Sequence, residues 1–352
     1  MIPRLFQQLL IQPQDVAPSG DTLEVIGTFN PGVVLHDGEV TLMVRVAERP
    51  RERRKGYTAL PRWEAGRVVV DWVADDEIEP LDPRVVRRKA DGLLRLTFTS
   101  HLRVMGSPDG RAIQEWDVSR FLPREPWEEY GVEDPRIVKI GDRYWITYVA
   151  VSRHGAATAL ASTQDFLAID RHGIIFCPEN KDVLVFPELI GGAYAALHRP
   201  TTAHPFCRPE IWLAKSPDLF HWGAHQPLHG GRGAWQADRV GGGAPPLRTE
   251  AGWLEIYHAS RRPQAAGEVG AYTAGALLLD LDDPCRVLGG TRDSLWEPET
   301  PYELSGFVPR VVFPTGIVAR GDRVQVYYGA ADTSTAVAEL PLVDVISSCV
   351  GG

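Results

Sequence analysis

The sequence predicts an all-β protein built as a ring of repeated antiparallel hairpins, and three observations carry that prediction. An apolar strand, a polar glycine-containing turn and a strand rich in aromatic and β-branched residues recur in that order six times. The turn glycines, Gly38, Gly92, Gly141, Gly192, Gly252 and Gly321, are spaced by 54, 49, 51, 60 and 69 residues. Glycine (34) and proline (28) in 352 residues suit strands joined by many turns better than a helical bundle. Hairpins repeating at such a period indicate a β-propeller, each unit supplying one blade, within a single domain spanning residues 1–352.

In chain order the repeats are VVLHDGEVTLMVRVAE from Val33, VVRRKADGLLRLTFTS from Val85 and IVKIGDRYWITYVAVS from Ile137. LIGGAYAALHRP from Leu189, PLRTEAGWLEIYHAS from Pro246 and IVARGDRVQVYYGAAD from Ile317 complete them. Glycine in a short turn between alternating runs is the hairpin signal. Several second strands end in polar residues: Arg45, Ser100, Ser152, His198 with Arg199, His258 and Asp332. In a propeller such ends converge on the central channel. The charged run RPRERRKGY, Arg49 to Tyr57, reads as a solvated loop, with a lid or a homo-oligomer contact as the functional alternative. The tail SSCVGG is expected to form no structure of its own.

Composition excludes several classes. The net charge of −9 argues against nucleic acid and anionic membranes as partners. No apolar stretch approaches 18 residues, and Met1–Pro13 lacks the apolar core of a signal peptide. Cys177, Cys207, Cys285 and Cys349 form no CxxC pair, which points to a reducing cytoplasm. No metal is expected: His221, His225 and His229 have helical spacing, but Gly223 and Pro227 interrupt any such helix. Gly241-Gly242-Gly243 lacks the GK[ST] of a P-loop, and Ser100, Ser152 and Ser260 lack a GxSxG elbow. Trp116, Trp127 and Trp235 are candidates for stacking on sugar rings.

The sharpest local segment is EEYGVEDPRIVKIGDRYWITYVAVSRHG, Glu128 to Gly155. Asp134 precedes Pro135, which predicts extended geometry for the aspartate at a strand start, with Glu133 and Arg136 flanking it. An acid held there suits proton donation to a leaving oxygen. Taken alone, the Asp-Pro pair equally reads as a turn opener, like Asp82-Pro83-Arg84.

This segment resembles the signature of glycoside hydrolase family 130, the mannoside phosphorylases and mannosidases. So do TFNPG (Thr28–Gly32), ENKDVLVFPE (Glu179–Glu188), ALHRP (Ala196–Pro200), PEIWLAKSPDLFHWGAH from Pro209, GWLEIYH (Gly252–His258) and YYGAAD (Tyr327–Asp332). The resemblance runs in order from about residue 25 to 340, and implies a five-bladed propeller with an axial pocket, one fewer blade than the six hairpin echoes. Carried over by position, it implies Asp134 as the general acid, acting through a sugar hydroxyl. Asn30, Arg45 and Asp332 fall around the mannosyl ring, with Glu133, Arg136 and His198 in the same substrate-binding set. Lys181, Arg199 and His258 fall at the phosphate, with Tyr272 beside them.

The implied reaction is inverting phosphorolysis of β-mannosides, of the β-1,2-mannobiose or oligomannoside type, to mannose 1-phosphate, with phosphate as co-substrate and no other cofactor. Phosphate is already an anion and needs cations that orient it rather than a base. Asp182 departs from the pattern, because many phosphorylases of the family carry an amide there. A carboxylate at that position would repel phosphate and favour the family's inverting β-1,2-mannosidases, whose base would here be Glu188 or Glu210. A non-catalytic sugar-binding propeller is the alternative from another class.

Overall fold

The structure, a computed structural model, describes residues 2–201, 206, 208–265 and 267–351; Cys207 lies outside the described residues. The chain is all-β. Its first four-stranded antiparallel set is Leu23–His36, Glu39–Pro50, Thr99–Ser107 and Glu115–Phe121. The second is Gly131–Ile140, Arg143–Ser152, Gly155–Thr163 and Asp170–Phe176. A parallel pairing of Gly131 with Ser100 joins these two into one eight-stranded sheet. The third set is Asn180–Val185, Tyr194–Pro200, Ile211–Ser216 and Gly223–His229. In the fourth, Arg239–Gly241 and Leu247–Thr249 both pair with Gly252–Ser260, followed by Tyr272–Leu279 and Val287–Gly290. The fifth combines Val312–Arg320, Arg323–Ala330 and Ser334–Pro341 with Phe6–Ile11 from the other end of the chain.

The turns follow from local chemistry. Asp37 and Gly38 both take positive φ (50° and 86°), forming the two-residue type I′ turn that Asp-Gly favours between His36 and Glu39. Packing then sets the register. The strands Thr99–Ser107 and Gly252–Ser260 are buried at every position, so the alternation of a one-faced strand disappears. Apolar clusters fill the spaces between successive sheets. Leu102 and Val104 meet Ile146 and Tyr148, Val138 and Leu160 meet Val185 and Ala196, and Leu197 meets Tyr257. Ile256 meets Val326 and Tyr328, and Tyr327 and Val337 of the fifth set meet Val44 and Val46 of the first.

Five of the six hairpin echoes lie within these sets; the echo at Val85 does not. Val85–Arg88 pairs with Leu94–Leu96 and Ile78–Asp82 in a separate three-stranded sheet, next to the hairpin Tyr57–Glu64/Arg67–Ala74. Both are insertions between the second and third strands of the first set, which accounts for the extra repeat. The run Arg49–Tyr57 leads into this insertion as an exposed segment. Arg49 and Arg53 pair with Glu24, and Arg54 lies over the Trp72 ring at 4.3 Å.

The C-terminal expectation is corrected. Leu342–Val350 forms a helix in which Leu342, Val345, Ile346 and Cys349 make one apolar stripe against the fourth and fifth sets, and burial of that stripe outweighs its two serines. Among the described residues, no helix is long and apolar enough to cross a membrane.

Candidate active site

The first strands of successive sets meet at one cavity of about 280 Å³. Each of the first three carries a register shift: between Phe29 and Gly32, between Glu133 and Arg136, and between Lys181 and Leu184. Within these bulges Asn30, Asp134 and Asp182 adopt positive φ (51°, 48° and 56°), and Asp332 in the fifth set does so as well (49°). A bulge inserts an unpaired residue and re-aims its side chain, and Asn and Asp tolerate the left-handed region best after glycine. Asp134 is therefore not extended at a strand start. It is the fourth residue of Gly131–Ile140, because the bulge overrides the preference that Pro135 imposes.

Asp134 is held from two sides. Asn30 Nδ2 donates to its Oδ1 at 2.9 Å, and Arg45 NH1 donates to the same oxygen at 2.9 Å. Arg45 NH2 donates to Glu133 Oε1 at 2.7 Å and its Nε to Ser100 Oγ at 3.1 Å. The Arg45 guanidinium lies 4.6 Å from the Phe29 ring centre and 5.6 Å from that of Phe98. Burial alone would raise the Asp134 carboxyl, but Arg45, Arg136, Lys181 and the Asn30 hydrogen bond outweigh it and hold it below its ordinary value. Asp332 goes the other way: burial first, then Asp134 and Glu133, raise it against the pull of Arg84 and Arg45. The cavity thus contains two carboxyls driven apart in proton affinity.

The cations Lys181 and Arg199 line the same cavity. Lys181 Nζ is 3.8 Å from Glu133 Oε2 and partly exposed. Arg199 Nε donates to Asp182 Oδ2 at 2.6 Å, while its buried NH1 has no hydrogen-bond partner among the described residues. Asp182 also lines the cavity but is nearly buried, with 1% side-chain exposure, between Arg199, His258 Nε2 at 3.4 Å and Arg136 NH2 at 4.0 Å. Burial would raise this carboxyl, but Arg199, His258 and Arg136 depress it strongly. It anchors the cations rather than facing an incoming anion as a free charge.

This buried network makes a stability prediction. A carboxyl held below its unfolded value contributes stability that is present above about pH 4 and lost as pH falls below that. Asp182→Asn should cost about 3 kcal/mol near neutrality, because it leaves Arg199 and Arg136 with less compensation. The variant's melting temperature should also fall less between pH 4 and pH 2.5 than that of the wild type. Parallel melting curves for the two proteins across that range would rule the idea out.

The structure brings most of the sequence-predicted residues together but not all. Asn30, Arg45, Glu133, Asp134, Lys181, Arg199, Tyr272 and Asp332 line the cavity. Arg136 lies behind it, donating to Gly243 O and to the carbonyls of Asp134 and Pro135. His258 is fully buried, 4.0 Å from the Phe313 ring in a stacked pair, and its pKa is lowered by burial, so it supports Asp182 instead of lining the cavity. His198 is also displaced from the cavity: it stacks on Phe176 and contacts Asn180 Nδ2 (3.0 Å) and His225 Nδ1 (3.1 Å). Glu188 is exposed and paired with Arg248, and Glu210 packs beside Gly230; neither lines the cavity.

Trp116, Trp127 and Trp235 lie elsewhere, and the aromatic walls are Phe29, Phe98, Phe307, Phe313 and Tyr272. The sequence reading also missed Arg84 and Arg239. Arg84, from the inserted sheet, is fixed by Asp82 and reaches within 3.8 Å of Asp332 Oδ2. Its only trace in the sequence was the Asp-Pro-Arg similarity to Asp134-Pro135-Arg136.

A binding pocket of this kind can hold a polar ring against aromatic faces, hydrogen-bond it from several sheets, and seat an anion on Lys181 and Arg199 in the same cavity as a carboxyl group. Comparison with known proteins points the same way. The profile of a family described as beta-1,4-mannooligosaccharide phosphorylase matches residues 106–350. A beta-1,2-mannobiose phosphorylase from Listeria innocua is 40% identical over 352 residues, covering 98% of this chain and 97% of that protein. A 1,2-beta-oligomannan phosphorylase from Thermoanaerobacter is 36% identical over 70% of this chain and 81% of its own length. The structure of the Listeria innocua enzyme in complex with beta-1,2-mannobiose superposes with a TM-score of 0.90 over 97% of each chain.

Proposed function

The chain belongs to glycoside hydrolase family 130, and on that premise we propose that it cleaves β-mannosidic bonds with inversion, by phosphorolysis, using β-1,2-mannobiose or a short β-1,2-oligomannoside. The observation that carries this reading is the presence, in one cavity, of a carboxyl group held by Asn30 and Arg45 together with the cations Lys181 and Arg199. Glu188 and Glu210, the candidate bases of a hydrolase, are not among the residues that line that cavity.

In this mechanism a phosphate oxygen, oriented by Lys181 and Arg199 beside Tyr272, attacks the anomeric carbon from the face opposite the leaving group. The new bond is C1–O–P. The glycosidic C1–O bond breaks, and the departing oxygen takes a proton that originates on Asp134 and passes through a sugar hydroxyl. Inversion of a β-mannoside yields α-mannose 1-phosphate and a sugar shortened by one residue. Asn30, Arg45 and Asp332 hold the mannosyl ring. The surrounding cations hold the Asp134 carboxyl below its ordinary value, and the negative charge of bound phosphate would act against them, favouring the protonated form.

The five sets, four of them four-stranded and the fourth in order five-stranded, are the blades of a five-bladed propeller around an axial pocket, forming one catalytic domain over residues 1–352. The packing of the fifth set on the first supports this. No cofactor beyond phosphate enters the mechanism. The unpaired Cys177, Cys285 and Cys349 suit a cytoplasmic enzyme.

The test is to incubate the purified protein with β-1,2- and β-1,4-mannobiose, with and without phosphate, and identify the products. Mannose 1-phosphate formed from the β-1,2-linked sugar, and only when phosphate is present, is the expected result. Equal release of free mannose in phosphate-free buffer would instead make the enzyme a hydrolase.

A further inference from the structure

Behind the cavity wall lies a carboxyl group that this mechanism does not use. Glu255, in the strand Gly252–Ser260, is fully buried. Its Oε1 accepts a hydrogen bond from Gly243 N at 2.9 Å, and its Oε2 has no hydrogen-bond partner among the described residues. The Gly243 carbonyl accepts from Arg136 Nε. Arg136 NH1 donates to the carbonyl of Asp134 at 2.9 Å and to that of Pro135 at 3.3 Å. One continuous chain of contacts therefore runs from Glu255 to the bulge that aims Asp134.

We propose that Glu255 is a positioning residue for Asp134, acting through the Gly243 peptide and the Arg136 guanidinium. The proposal rests on reading Asp134 as the proton donor. The glycine run that fits no P-loop now has a physical reason. A Cβ at Gly243 would stand 2.1 Å from the Ile256 carbonyl, and one at Gly241 would stand 2.4 Å from Asp182 Oδ2 and 2.6 Å from His258 Nε2. Only bare backbone fits between these groups, so the fourth set brings a peptide to Arg136 where the first three sets bring a bulged side chain.

The chemistry of Glu255 suits that task. Burial pushes its carboxyl well above the ordinary range; Gly243 N and Arg136 oppose the shift and Asp182 adds to it. As a neutral acid it offers Oε1 as an acceptor without drawing Arg136 away from the Asp134 bulge. An ionised Glu255 would compete with Asp134 and Asp182 for the same guanidinium.

Three variants test this in the full chain with β-1,2-mannobiose and phosphate. Glu255→Gln keeps a neutral acceptor at the same place and should stay within about threefold of wild-type kcat. Glu255→Leu removes the acceptor and should lower kcat about tenfold or more while leaving KM within about twofold, since sugar contacts are untouched. Its alkaline limb in the kcat–pH profile should move upward, because a loosened Arg136 depresses Asp134, the proton donor, less. Arg136→Lys, which retains charge without the fork, should reproduce that kcat loss and profile shift even if Glu255→Leu fails to fold.

Wild-type kcat in folded Glu255→Leu, or in Arg136→Lys, overturns the proposal. So does a Gln variant as impaired as the Leu variant, which would make the charge, not the acceptor, the active feature. Asp134→Asn run in parallel separates the two levels. If that variant is inactive while Glu255→Leu is unaffected, only this inference fails; if Asp134→Asn itself turns over normally, the assignment of the acid has failed.

Discussion

Asp134→Asn is expected to lower turnover at least about a hundredfold, the usual cost of losing a general acid. The amide preserves shape, and its oxygen still accepts from Asn30 Nδ2 and Arg45 NH1, so the bulge and its contacts should persist. Mannoside binding, followed by calorimetry, should therefore survive within a few-fold. What the variant lacks is the transferable proton. Substrates whose leaving groups need little protonation, such as a nitrophenyl mannoside, should recover much of the lost rate. Turnover near wild type on β-1,2-mannobiose would remove Asp134 from the mechanism.

Arg199→Ala carries the second large effect. Arg199 lines the cavity, is buried, and has an NH1 group without a hydrogen-bond partner among the described residues, so it is placed to give a charge-assisted contact to an anion. Its loss should raise KM for phosphate about tenfold or more, while KM for the mannoside changes much less. The same substitution releases Asp182 from its 2.6 Å contact and leaves a buried carboxylate less compensated. Arg199→Lys separates the two consequences by keeping the positive charge and losing the planar fork. It should retain stability yet still show weakened phosphate use. Equal increases in both KM values in the Lys variant would count against a phosphate-specific role.

Much of the constellation was legible before any fold was known, though not all for the reasons the residues suggested. Asp134 stood out through the Asp-Pro pair, and Arg45 and Asp332 through their place at or beside the ends of repeated strands. The conformation expected for Asp134 was wrong, because the bulge at Glu133–Arg136 places it at φ 48°. Strand periodicity assigns residues to faces only while the register is unbroken, and one inserted residue reverses the assignment. The depth of His258 was concealed for a different reason: it lies within a strand buried at every position, so nothing in the pattern separates a cavity side chain from one behind it.

The sequence by itself determined the all-β class, the hairpin turns and the family, because these depend on local turn chemistry and on ordered motifs that need no knowledge of what packs where. Only the tertiary structure decided which charges face the cavity. Arg84 comes from an inserted sheet and meets Asp332 some 250 positions away in the chain. Asp182, by its spacing a threat to phosphate, proves to be a buried counter-ion held by Arg199. Glu188 and Glu210, plausible bases on paper, stand outside the cavity. In each case the physical reason is the same: a carboxylate's role is set by its depth, its partners and the local dielectric. All three are fixed by contacts between sheets, and spacing along one strand does not encode them.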